Sequence, residues 1–150
     1  MHQFKAEQFL PIDKREAWDF FSSPKNLSLI TPPEMDFKII GKLNGEEIFE
    51  GMKIDYTVKP LFGIAIHWQT EICKVENQRY FTDRQVKGPY KIWEHTHTFS
   101  EIKGGVLMHD VVNYKLPFGF IGRALNSIFI RRKIETIFEY RKNILNNLFV

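Results

Sequence analysis

Two histidines and an aspartate at period-two spacing carry the strongest chemical signal in the chain. Trp93, His95, His97 and Phe99 fall on alternate residues of one run. Met108, Asp110, Val112, Tyr114 and Leu116 fall on alternate residues of the next. Side chains alternate across a strand, so each set shares one face. With Lys103 and Gly104 as the turn, Trp93 lies opposite Tyr114, His95 opposite Val112, His97 opposite Asp110, and Phe99 opposite Met108. An imidazole and a carboxylate then sit side by side in an apolar face, where polar groups cost free energy unless paired.

A carboxylate beside a histidine favours imidazolium and orients its ring. The His97/Asp110 pair can therefore act as a general acid and base, or it can fix register and orient a bound molecule. His95 and His97, two apart on a strand, also have a spacing that zinc sites use, with Asp110 or Glu50 as a third ligand. Trp68, Trp93, Tyr114, Phe99 and Met108 supply apolar wall on the same face, and the Trp and Tyr side chains add polar handles. Glu50 and Gln85 fall on the inward-facing sets of their own strands. No nucleophile elbow, phosphate loop or dinucleotide fingerprint occurs.

These residues need a sheet to hold them. Residues 2 to 10 alternate as a first strand, ended by Pro11. Asp13, with Glu16 three residues later, is an N-cap pattern for a short helix. Pro24 suits the first turn of a second one, running to about Ile30. From Met35 the period becomes two. Asn44-Gly45 predicts a tight hairpin pairing Ile39 with Glu50, Phe37 with Met52 and Met35 with Ile54. Pro60 to Gly63 and Asn77-Gln78 predict further turns. His67 and His109 alternate to the outer face, and Glu71 meets Arg84 there. Phe81, Asp83 and Gln85 share the inner face with Trp68 and Ile72.

After Gly119 the period is helical. Ile130, Ile134, Ile137, Phe138, Ile144, Leu145 and Leu148 form one stripe at about 3.6 residues per turn. Ile121, Ala124, Leu125 and Ile128 project roughly 140–180° away from it. The phase switches at Phe129 to Arg131. The helix bends there, or its first turns touch a lid or a second copy of the chain.

The chain has 150 residues, consistent with one domain spanning 1–150. Hydrophobic residues at 43% and charged residues at 26% exclude disorder. Fourteen Phe fit a large core or an apolar cavity. The net charge of +3 is scattered, apart from Arg131-Arg132-Lys133, so no nucleic-acid-binding stripe is expected. The single Cys73 allows neither an internal disulfide nor a Cys-based zinc cluster. The N-terminus has no signal-peptide h-region. No apolar run approaches the ~20 residues of a membrane helix. A cytoplasmic location is expected.

The order is strand, two short helices, six strands and a long helix. It resembles the helix-grip fold of the START/birch-pollen-allergen superfamily, also called SRPBCC or polyketide cyclase-like. FLPIDKREAWDFFSSPKNLSLITPP resembles its first strand and two short helices. GPYKIWEHTHTF, GGVLMHDVVNYKLPFG and IETIFEYRKNIL resemble a bacterial ligand-binding subgroup, some members of which are labelled cell-division inhibitors. The resemblance implies an α+β fold, with a seven-stranded curved antiparallel sheet wrapped around a long C-terminal helix. It also implies a cavity for an apolar or aromatic small molecule between sheet and helix. The superfamily pattern carries no metal, so no metal or other cofactor is expected.

Three functions follow as expectations. The first is a binding protein whose polar contacts come from Glu50, Gln85, His95, His97 and Asp110. The second is a cyclase, dehydratase or isomerase using His97 and Asp110. The third is a partner-binding or homodimerising module using Ile121, Leu125 and Phe129.

Overall fold

The computed structural model describes every residue of the chain except Asn44, Glu46, Leu61 and Phe62. Its element order is the expected one: strand β1 (His2–Leu10), helix α1 (Lys14–Phe21), two 3-10 turns (Pro24–Ile30 and Pro33–Met35), six further strands, then a long helical segment. The strands are β2 (Lys38–Ile40), β3 (Lys53–Val58), β4 (Ile66–Glu76), β5 (Tyr80–Lys87), β6 (Ile92–Ile102) and β7 (Gly105–Lys115). They form one antiparallel sheet in the order β1-β7-β6-β5-β4-β3-β2.

Local chemistry sets the boundaries. The Asp13 carboxylate accepts from Glu16 N at 2.7 Å, satisfying a free N–H in the first turn of α1. Pro24 opens the following 3-10 turn, where its missing N–H costs nothing. Lys103-Gly104 makes the β6–β7 turn, with Gly104 at φ +86. Gly105 then passes beneath β1 so closely that a Cβ would stand 2.1 Å from the Leu10 carbonyl oxygen. That contact explains why β7 must begin on a residue with no side chain.

The first predicted hairpin is corrected. Asn44 lies outside the described residues, and so do Leu61 and Phe62 of the predicted turn after Pro60. Ile39 pairs with Tyr56, not Glu50, and Lys38 pairs with Thr57. The ladder stops at Ile40 because Gly41 takes φ +76, and it restarts only after Gly51 at φ +92. Between them, Ile48 N bonds Ser22 O at 2.9 Å and Gly51 N bonds Ile72 O at 2.7 Å. Ile48 and Gly51 are thus tied to the end of α1 and to β4 and not to β2. Phe37 and Met52 do not pair.

The long helical segment has three parts: α2 (Gly119–Leu125), a π turn (Asn126–Ile130) and α3 (Arg131–Leu148). The π turn lies where the apolar stripe changes phase. An extra residue in the turn rotates everything before it relative to everything after. Asn126 occupies the widened turn, and its side-chain oxygen accepts from the Tyr114 hydroxyl. Ile130, Ile134, Phe138 and Leu145 are buried toward the sheet, whereas Phe118, Phe120, Ile121, Leu125, Ile128 and Phe129 are exposed. Among the described residues, no helix is long and apolar enough to cross a membrane.

The core lies between the sheet, α1 and α3. One part gathers Leu10, Trp18, Phe81, Phe99, Met108 and Leu145, and another gathers Phe4, Val112, Tyr114, Ile134 and Phe138. Between these packed regions the sheet and α3 do not close.

Candidate functional site

A cavity of ≈ 190 Å³ opens between the sheet and α3, with a wall of aromatic side chains and a polar floor. Trp68 of β4 is the centre of the wall. It stacks on Tyr56 at 6.0 Å between ring centroids, and meets Trp93 edge-on at 5.6 Å and Tyr90 at 5.7 Å. Tyr90 and Trp93 are themselves 4.7 Å apart. Strand alternation turns Trp68 and Trp93 inward. Tyr90 needs another device, because it follows the Gly88-Pro89 break in β5. Gln85 supplies it: its amide donates to Tyr90 O at 2.7 Å and accepts from Tyr90 N at 3.1 Å.

The floor is a cluster of two imidazoles and two carboxylates. His95 and His97 stack with ring centroids 3.7 Å apart. The ladder sets His97 opposite Asp110 and His95 opposite Val112, as the turn predicts. The hydrogen bonds run diagonally to that register. His95 Nε2 meets Asp110 Oδ1 at 2.7 Å, and His97 Nε2 meets Asp83 Oδ2 of β5 at 2.8 Å. His97 Nδ1 stands 3.3 Å from Asp110 Oδ1, but the alignment falls short of a hydrogen bond. His95, His97 and Asp110 are all buried.

Burial and pairing drive the two histidines apart. Burial lowers the pKa of His95, helped by the neighbouring His97 charge and only partly opposed by Asp110. Burial pulls on His97 equally in kind, yet the Asp110 and Asp83 carboxylates beside it overcome that and raise its pKa. Burial pushes both aspartates upward, but their histidine partners outweigh it and hold Asp83 and Asp110 below the ordinary carboxylate value. His97 therefore holds its proton more readily than His95 does.

Arg141 of α3 brings the remaining charge. It lines the same cavity, with its guanidinium over the Phe138 ring at 4.9 Å. Burial lowers its pKa, while Asp110 and Asp83 act on it through space. An arginine stays protonated regardless, so its guanidinium offsets part of the charge of the two carboxylates. Sequence reasoning missed this residue. The signal was present: Ile134, Phe138, Arg141 and Leu145 fall three or four apart, on the buried stripe.

Other predicted site residues are placed differently. Phe99, Met108 and Tyr114 are packed into the core instead of lining the cavity. They face inward on the register expected, but α1 and the π turn cover them. Glu50 is exposed, outside any strand, and does not reach the histidines. Gln85 is occupied by Tyr90. Asp110 sits behind the imidazoles and reaches a second recess of ≈ 250 Å³ between β1 and α3, which Arg141 also borders. His67 bonds Asp55 and His109 meets Glu7, both on the outer face.

Asp83, His95 and His97 also bring one ligand atom each within 4.8 Å of one another, a geometry that could hold a metal ion. The cationic Arg141 beside them opposes a further positive charge.

No protein-family model matches the chain, and no curated protein matches it by sequence. Solved structures do match it. Protein CV1439 from Chromobacterium violaceum aligns over 99% of this chain and 98% of its own, at 11% identity and TM-score 0.72. Ginseng major latex-like protein 151 from Panax ginseng covers 99% and 97%, at 14% identity and TM-score 0.71. The nucleoside-diphosphate sugar epimerase from Corynebacterium glutamicum is 22% identical with TM-score 0.65, covering 95% of this chain but only 28% of its own. The fold is a helix grip. Within that grip, the cavity lies between sheet and helix, and its polar floor comes from Asp83 of β5, His95 and His97 of β6 and Arg141 of α3, with Asp110 of β7 behind the imidazoles.

Proposed function

We propose that the chain is a single-domain, ligand-binding member of the START/SRPBCC superfamily, holding an apolar or aromatic small molecule between the sheet and α3. One observation carries the reading. Tyr56, Trp68, Tyr90 and Trp93 form an aromatic wall around a cavity between the sheet and α3, with Phe81 and Phe138 beside it. Interiors pack close to crystal density, so a cavity of this kind loses contact energy unless something fills it. Apolar pockets with a few convergent polar groups are the usual form of small-molecule sites.

Native mass spectrometry of the gently purified protein tests the reading. A bound small molecule that is released by organic solvent is the expected result. A bare mass under every mild condition, from cells that make the protein naturally, would count against it.

A second reading rests on a separate observation. The pKa values of His95 and His97 are pushed in opposite directions beside one cavity, which suits one base and one acid. An isomerase, dehydratase or cyclase would use them on the bound molecule. Incubation of the extracted ligand with wild-type protein and with His97→Asn tests this. Turnover by the wild type alone supports catalysis, and recovery of unchanged ligand from both removes it.

A further inference from the structure

Among the described residues, three buried side-chain polar atoms lack a hydrogen-bond partner: Trp68 Nε1, His97 Nδ1 and Arg141 Nε. All three belong to residues that line the same cavity. His97 Nδ1 has Asp110 nearby at 3.3 Å, but no described residue accepts from the other two. Buried N–H groups left unpaired are rare and costly. Here all three belong to residues bordering one cavity.

One oxygen of each nearby carboxylate is already engaged. Asp83 Oδ2 accepts from His97, and Asp110 Oδ1 accepts from His95. Three polar side chains of the wall spend their donors on backbone carbonyls. Thr70 donates to Arg84 O, Thr31 to Leu27 O, and Asn26 to Phe20 O. Two of the buried atoms left without a partner, Trp68 Nε1 and Arg141 Nε, can only donate, and one of them belongs to a guanidinium.

We infer that the ligand is an aromatic or apolar carboxylic acid, its ring against Trp68 and Trp93 and its carboxylate taken by Arg141 with the Trp68 indole N–H. This rests on the proposed binding function and specifies the ligand class. A carboxylate suits a guanidinium because two parallel N–H···O bonds can form. A doubly charged head such as phosphate fits less well, because Asp83 lines the same space. Both nitrogens are shielded in the empty cavity, so binding draws the two side chains toward the head group.

Three probes of one shape test the inference: naphthalene-2-carboxylate, naphthalene-2-carboxamide and 2-methylnaphthalene, each titrated by calorimetry or tryptophan fluorescence. The acid should bind more tightly than the hydrocarbon and the amide by on the order of tenfold, the usual worth of a charge-assisted bond. Arg141→Met should erase that preference while leaving hydrocarbon binding in place. Trp68→Phe should reduce it in part, and serves if Arg141→Met does not fold. Equal binding of all three probes, or an acid preference that survives Arg141→Met, would overturn the carboxylate head but leave apolar binding standing. Failure of every probe to bind would overturn both.

Discussion

His97 bonds Asp83 on β5 at 2.8 Å, although its register partner is Asp110 on β7. The imidazole thus links three neighbouring strands, with Asp83 on one side and Asp110 at 3.3 Å on the other. Removing one member of a buried charged pair leaves the other uncompensated. Asp83→Asn should therefore cost about 3 kcal/mol, the lower end for such pairs because Asp110 remains. Urea unfolding at pH 7 reads this directly, and a loss below about 0.5 kcal/mol would mean that the bond does not matter to the fold.

The same cluster predicts a stability maximum near neutral pH. His97 has a raised folded pKa, so its contribution is complete below 6.5 and is lost as pH rises through the folded value. His95 has a lowered one, so below 6.5 the unfolded chain takes up a proton that the fold resists, and stability falls with pH. Asp83 and Asp110, held low by their partners, add stability that disappears at more acid pH still. Unfolding midpoints should drop on both sides of about pH 6.5. His97→Gln should flatten the alkaline limb and weaken the acid one, because His97 also helps to hold His95, Asp83 and Asp110 low.

Tyr114 separates core from cavity wall. It donates to Asn126 in the π turn and is fully buried away from the cavity. Tyr114→Phe should cost about 1–2 kcal/mol, because the Asn126 oxygen loses its donor. Binding of naphthalene-2-carboxylate should not change. A binding defect without a stability defect would return Tyr114 to the pocket.

The exposed strip on α2 and the π turn contributes little to the fold. Ile121 is 53% and Ile128 60% exposed. Ile121→Glu and Leu125→Glu should each shift stability by less than about 0.5 kcal/mol and leave probe binding intact. Sedimentation equilibrium on the same proteins addresses the homodimer reading. A wild-type dimer dissociated by Leu125→Glu would make the strip an interface, and a monomer at high concentration would remove that reading.

The sequence made the β6–β7 hairpin legible because two period-two runs flank a Lys-Gly turn. Strand alternation then placed Trp68, Trp93, His95, His97 and Asp83 on the correct face. It could not choose hydrogen-bond partners, since Asp83 and Asp110 flank the histidines on opposite strands and reach them diagonally. The pairing predicted from Asn44-Gly45 does not form, because Gly41 and Gly51 at positive φ end the ladder and Ile39 pairs with Tyr56 instead of Glu50. Arg141 was overlooked because its charge suggests the solvent face, whereas its position three residues after Phe138 places it on the buried one. The phase change in the C-terminal helix was visible, but a bend and a π turn leave the same pattern.

The most direct test of the binding cavity uses the indole N–H signals of the three tryptophans during titration with naphthalene-2-carboxylate. Trp68 and Trp93 line the cavity, while Trp18 lies outside it and donates to Glu47 Oε1 at 3.2 Å. The Trp68 and Trp93 signals should move saturably, with the Trp68 N–H shifting as it gains an acceptor, and Trp18 should stay in place. Saturation with no movement of Trp68 or Trp93, or no saturable change at all, would contradict a ligand held between the sheet and the helix.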